Sequence, residues 1–234
     1  MRLLRKLKLS IYSRLADFRI GLNHKNKKMK KAIFNPFTRI AGYKSLMIGL
    51  SVILLSSWLC YLTNTHFDGV INVHYGRVSS YYVFLFEALI DLLSISLVLY
   101  IIGIISSKSS IRFIDLIGTQ AFARIPLILM PLIGFSPAIT NVPKYFMWKF
   151  LNLGEEINIT NCDITLFAIL SLITLAVIVW TIVLMYNAFK VSSNLKGSKS
   201  VWLFILGIIL SAIISQVVIY SIFPPVLPAG LMFS

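Results

Sequence analysis

Negative charge is scarce in this chain, with eight Asp and Glu against 22 Lys and Arg in 234 residues, and charged residues of both signs together make up only 13%. Soluble domains carry roughly 25% charged residues, so a surface that faces water on all sides is excluded. Cysteine is nearly missing. Cys60 falls inside an apolar run and Cys162 in a loop far from it, so the pair reads as packing residues and not as a disulfide framework. No cleavable signal peptide is expected either, because RLLRKLKLSIYSRL after Met1 interrupts every apolar stretch with cations. The first span is then expected to act as an uncleaved insertion signal.

Apolar residues are what the chain has in quantity: 58% of the sequence, with a mean hydropathy of +0.86. They gather into runs comparable with the roughly 20 residues that carry a helix across a hydrocarbon core. The runs predict spans near Ser45–Thr63, Tyr81–Ile105, Ile117–Thr140, Ile164–Phe189 and Val201–Phe223. The expected fold class is therefore all-α, a polytopic transmembrane bundle with about five spans. Residues 1–33 form a basic amphipathic arm, and 34–234 the membrane domain.

An odd number of spans puts the two ends on opposite sides, and cytoplasmic loops carry the excess of Lys and Arg. Cations crowd the segment before the first span, from Arg2 to Lys44. They recur at Lys108 and Arg112 between spans two and three, and at Lys190, Lys196 and Lys199 between spans four and five. All three segments share one face. The opposite face has Arg77, Lys144 and Lys149 and collects Asp68, Glu155, Glu156 and Asp163. The amino terminus is expected in the cytoplasm and the carboxyl terminus outside, in the cytoplasmic membrane of a prokaryote or the ER and Golgi membranes of a eukaryote.

The same asymmetry accounts for the net charge of +14 without nucleic acid as a partner, since no aromatic platform is interleaved with the cations. In the arm, Leu4, Leu7, Ile11, Leu15, Phe18 and Leu22 recur at helical spacing, with Arg2, Arg5, Lys6, Arg14 and Arg19 on other faces. Such a helix lies flat on a bilayer, or docks an unidentified protein partner through the same stripe. Lys25, Lys27, Lys28, Lys30 and Lys31 follow it, and each cation near a surface of anionic lipid head groups contributes roughly 1 kcal/mol.

Ionisable residues inside spans are costly in lipid and are usually paired or functional. Glu87 and Asp91 lie four apart on one face of the second span, and Arg124 enters from the other end in the third. At about 1.5 Å per residue, Asp91 and Arg124 both reach roughly 12–15 Å deep, so an intramembrane ion pair is expected among Glu87, Asp91 and Arg124. It is either a structural tie between two spans or part of a proton or ion pathway. Pro126, Pro131 and Pro137 predict a kinked or broken third span. Gly207, Ser211 and Ser215 give the fifth a small-residue face for close helix approach.

Enzyme chemistry finds little support. Glu155 and Glu156 are similar to the paired carboxylates of glutamate-dependent membrane peptidases, but resemblance to that family would imply an arginine a few residues on and histidines in other spans, whereas the sequence continues INITNCD and its three histidines lie outside the apolar runs. His66, Asp68 and His74 lack the spacing of a metal-ligand motif and read as solvated loop residues. Asn158-Ile-Thr160 is a glycosylation sequon, relevant only in a secretory pathway. No catalytic residue, cofactor or metal is expected.

FIDLIGTQAFARIPLIL from Phe113 and WTIVLMYNAFKVSSNLKGSKS from Trp180 resemble two stretches characteristic of the Yip family of five-span membrane proteins. The resemblance covers most of residues 34–223, including Pro126 in the third span, Trp180 in the fourth and the Gly197–Lys199 loop. It implies a helical bundle with a cytosolic amino terminus and no enzymatic activity, related to proteins that bind Rab-type GTPases or shape membranes. The short basic arm, in place of the long cytosolic region of eukaryotic members, points to a prokaryotic one. The expected role is that of a membrane-organising or interaction component, with a small transporter or transporter subunit using the buried Asp/Arg pair as the alternative.

Overall fold

The computed structural model describes residues 33–75 and 79–223. The arm, with its apolar stripe and its lysines from Lys25 to Lys31, lies outside the described residues, as does Arg77. Of the described residues, 78% are helical. In order come α1 (Gly42–Thr63), a two-stranded hairpin of β1 (Thr65–His66) and β2 (His74–Tyr75), α2 (Tyr81–Ser106), α3 (Phe113–Ala123), a 3-10 turn at Ile125–Ile128, and α4 (Leu129–Gly134). Then follow α5 (Ala138–Leu151), α6 (Asn161–Ser193) and α7 (Ser198–Ile222).

Among the described residues, five helical stretches are long and apolar enough to cross a membrane: α1, α2, the stretch Phe113–Gly134, α6 and α7. The chain is thus a multi-pass integral membrane protein. Their ends carry sequence-encoded stops. Asn64 closes α1 in the left-handed conformation, at φ 50°, which Asn tolerates better than most residues. Thr160 and Asp163 form a reciprocal capping box that starts α6.

Phe113–Gly134 is the centre of the bundle, 67% buried against 11% for α6. It packs on α1, α2 and α6, while α7 packs on α2. Contact between α1 and α3 is backbone to backbone. A Cβ on Gly49 would stand 2.5 Å from the Ala121 carbonyl carbon, and one on Gly118 would stand 2.5 Å from the Gly42 carbonyl oxygen. Small residues are the usual currency of helix contact in lipid, where apolar side chains gain little by leaving one oily environment for another. Gly207, Ser211 and Ser215 of α7 serve the same end, all buried.

The third span breaks, as its prolines predict, but its bounds differ from expectation. It runs from Phe113 to Gly134 instead of ending at Thr140. Pro126 has no N–H to give and its ring collides with the preceding turn, so α3 stops at Ala123, a 3-10 turn follows, and α4 resumes. Pro137 then caps a separate helix, α5, over residues expected to be the end of the span and loop.

Near the end where α1, α2 and α4 meet the hairpin, the core contains Cys60, Phe84, Leu127 and Met130. The other end is filled by Ile95, Leu99, Leu116, Met185, Phe189 and Phe204. Residues 65–70 are all buried, so the hairpin folds back into the bundle and does not stand in solvent.

Candidate functional site: a buried charge cluster under the hairpin

The 3.6-residue period places Glu87 and Asp91 on one buried face of α2. Arg124 sits where proline ends α3, and its side chain enters the space between α2 and the folded-back hairpin. Its Nη2 donates to Asp91 Oδ2 at 2.9 Å and to the Val70 carbonyl at 3.2 Å. Ser215 of α7 donates to the second oxygen of Asp91. Asp91 and Arg124 are 0% and 5% exposed, so the charge pair and its bonds are shielded from water. Arg124 also lines a cavity of about 20 Å³ with Ser56, Phe67 and Leu127, a volume that accommodates one water molecule. Its Nη1 has no hydrogen-bond partner among the described residues.

Glu87 does not join this pair. Both of its carboxylate oxygens accept from His66 Nδ1, at 2.9 and 3.0 Å, because the hairpin brings His66 in over the first turns of α2. His66 lies against Phe84 (ring centroids 4.4 Å apart) and stacks on its cross-strand partner His74 at 5.0 Å and 11°. His74 Nδ1 in turn lies 3.1 Å from Asp68 Oδ2. Asp68 also accepts from Tyr220 of α7 at 2.7 Å and from Asn72 at 2.7 Å.

His66, Asp68 and His74 were expected to be solvated loop residues, and the structure corrects this: His66 is 0% and Asp68 3% exposed. The hairpin is drawn inward because its backbone and side chains satisfy groups that lipid would leave unpaired. Burial opposes ionisation of Asp68, yet the bonds from His74 and Tyr220 outweigh it and hold the carboxyl below the usual carboxylate range. Burial pushes the Tyr75 phenol up to about 12 against a smaller pull from Thr174, so it stays a donor, here toward the Met130 carbonyl at 3.4 Å.

Together these contacts join α2, α3, α7 and the hairpin through three carboxylates, one guanidinium and two imidazoles. Chemically such a cluster can tie these elements together through bonds that lipid cannot replace. His74 is its accessible edge, with a side chain 38% exposed. Among the described residues no group of His, Cys, Asp and Glu is arranged to hold a metal ion.

The helix α5 is the feature that sequence reasoning missed. Ala138, Ile139 and Val142 are buried against the bundle, while Phe146, Met147, Phe150 and Leu151 are exposed beside Lys144 and Lys149. Tyr145 and Trp148 complete an aromatic surface. The spacing of Ile139, Val142, Phe146 and Phe150 was a helical signal in the sequence, masked by Pro143 and two lysines.

Comparison with protein-family models, curated proteins and solved structures gives no match to this chain.

Proposed function

We propose that this chain is a non-catalytic, Yip-type component that organises a membrane or holds a partner at it, with its amino terminus in the cytoplasm and its carboxyl terminus outside. The observation that carries the reading is the internal pairing of the buried cluster: Asp91 with Arg124, and Glu87 with His66. Ionisable groups that bond one another across α2, α3, α7 and the hairpin fix the relative positions of those elements. In this reading the rigid body so formed presents α5 to one leaflet. An amphipathic helix with aromatic and lysine side chains suits a membrane interface. The basic arm and the cationic loops engage anionic head groups, or a protein partner, on the cytoplasmic side.

A second reading, that of a small transporter, draws on one specific contact: the stack of exposed-edge His74 on buried His66, which leads from the surface to Glu87. Proteoliposomes distinguish the two. The organiser reading predicts that Asp91→Asn and Arg124→Gln lower the yield of folded protein, and that wild-type vesicles leak no protons under an imposed pH gradient. The transporter reading predicts a wild-type flux that both variants abolish while remaining folded. Capture from gently solubilised membranes, with and without residues 1–31, then tests the arm: specific proteins lost with it support the interaction role.

A further inference from the structure

Between α5 and α6, beside the hairpin, lies a groove of about 570 Å³ whose walls combine two kinds of surface. Ile139, Met147 and Phe167 are apolar, and Tyr75, Lys144 and Thr174 are polar. The volume is that of an ordinary small-ligand site. Thr174 is about 13 residues into α6, roughly 20 Å from its start at the helical rise, so the groove descends from the helix end into the depth of the membrane. A hydroxyl at that depth normally bonds within its own helix or to a neighbour. Thr174 Oγ1 is buried near the Tyr75 hydroxyl, without a hydrogen bond of good geometry.

We infer that this groove binds one anionic glycerophospholipid from the leaflet at the hairpin end. The groups fit that molecule in order. Lys144 is exposed on α5 and supplies a cation for the phosphate, and no acidic side chain lines the groove among the described residues. Deeper in, the Thr174 hydroxyl is a donor, with the Tyr75 hydroxyl beside it turned toward the Met130 carbonyl, and the ester carbonyls of a glycerolipid are acceptors. The apolar wall then receives acyl chain. A free inorganic anion would use Lys144 alone and leave the deeper donors and the apolar wall unfilled. The exposed aromatic surface of α5 keeps the groove's mouth among lipid head groups. This inference is independent of the role proposed above, since an organiser and a transporter could both hold a lipid here.

The test is native mass spectrometry of the full chain released from nanodiscs of equal phosphatidylglycerol and phosphatidylcholine. One retained phosphatidylglycerol per chain is expected. Lys144→Gln should reduce its retention about tenfold, equivalent to about 1.4 kcal/mol, and Lys144→Arg should restore it. Thr174→Val should weaken retention of both lipids, and Thr174→Trp, which fills the groove, should abolish it. Lys149, five residues further along α5 and bonded to the Tyr145 hydroxyl at 2.8 Å, is the control, and Lys149→Gln should change nothing. Equal loss from the two lysine variants would reduce the effect to general surface charge and overturn the proposal. So would retention unchanged in Thr174→Trp, or no preference between the two lipids in the wild type.

Discussion

The two ends of the bundle are held together by different means. At the hairpin end, Asp91, Arg124, Glu87, His66 and Asp68 meet in hydrogen bonds and ion pairs that cross four elements. At the opposite end the contacts are Leu99, Met185, Phe189 and Phe204, with polar ties between elements such as Gln120 Nε2 to the Met185 carbonyl, Ser107 Oγ to the Ser193 carbonyl and Lys199 Nζ to the Ser106 carbonyl. Lipid explains the division. Apolar side chains leave one hydrocarbon for another at little gain, so a packed end depends on close fit and a polar end on bonds that lipid cannot replace.

The comparison breaks most sharply at Arg124. Arg124→Met leaves Asp91 buried without its cation and should cost about 3–5 kcal/mol, read as reduced resistance to unfolding by sodium dodecyl sulfate in mixed micelles. A comparable apolar truncation at the other end loses packing alone. Gly118→Leu probes close fit instead. The added side chain must part α1 from α3, and about 1–3 kcal/mol of destabilisation is expected in the same assay, with the ion pair left in place.

The span count was legible in the sequence because length and apolarity alone decide it. The pairing of Asp91 and Arg124 was approachable because ionisable residues inside spans stand out. Glu87 was assigned to the same pair because it shares the Asp91 face, and its actual partner, His66, belongs to a loop whose path no periodicity reveals. The third span's far end was misplaced for a related reason. Pro137 and the apolar residues after it read as more span, although in the structure Pro137 starts α5. Sequence pattern reports which residues want burial; it does not report which loop returns to satisfy them.

Two smaller effects sharpen the account of the hairpin. Asp68 is held below its ordinary value of 3.8 in the folded state, so its ionised bonds stabilise the fold above that value and are lost as pH falls through the lower folded one. The stability difference between wild type and Asp68→Asn should therefore shrink below about pH 4, measurable as unfolding midpoints across an acid series. Asn72→Ala removes one neutral donor at the edge of the hairpin. Asp68 keeps Tyr220 and His74, so a loss of only about 0.5–1 kcal/mol is expected in the same unfolding measurement.

The most direct test of the central claim, that internal pairing of buried charges holds the hairpin end together, is a double-mutant cycle on Asp91 and Arg124 read by reversible unfolding in lipid micelles. The account predicts that Asp91→Leu and Arg124→Met are each strongly destabilising, and that the double variant recovers most of the loss because neither charge is left alone. Losses that simply add would show the two side chains to be energetically independent and would contradict it.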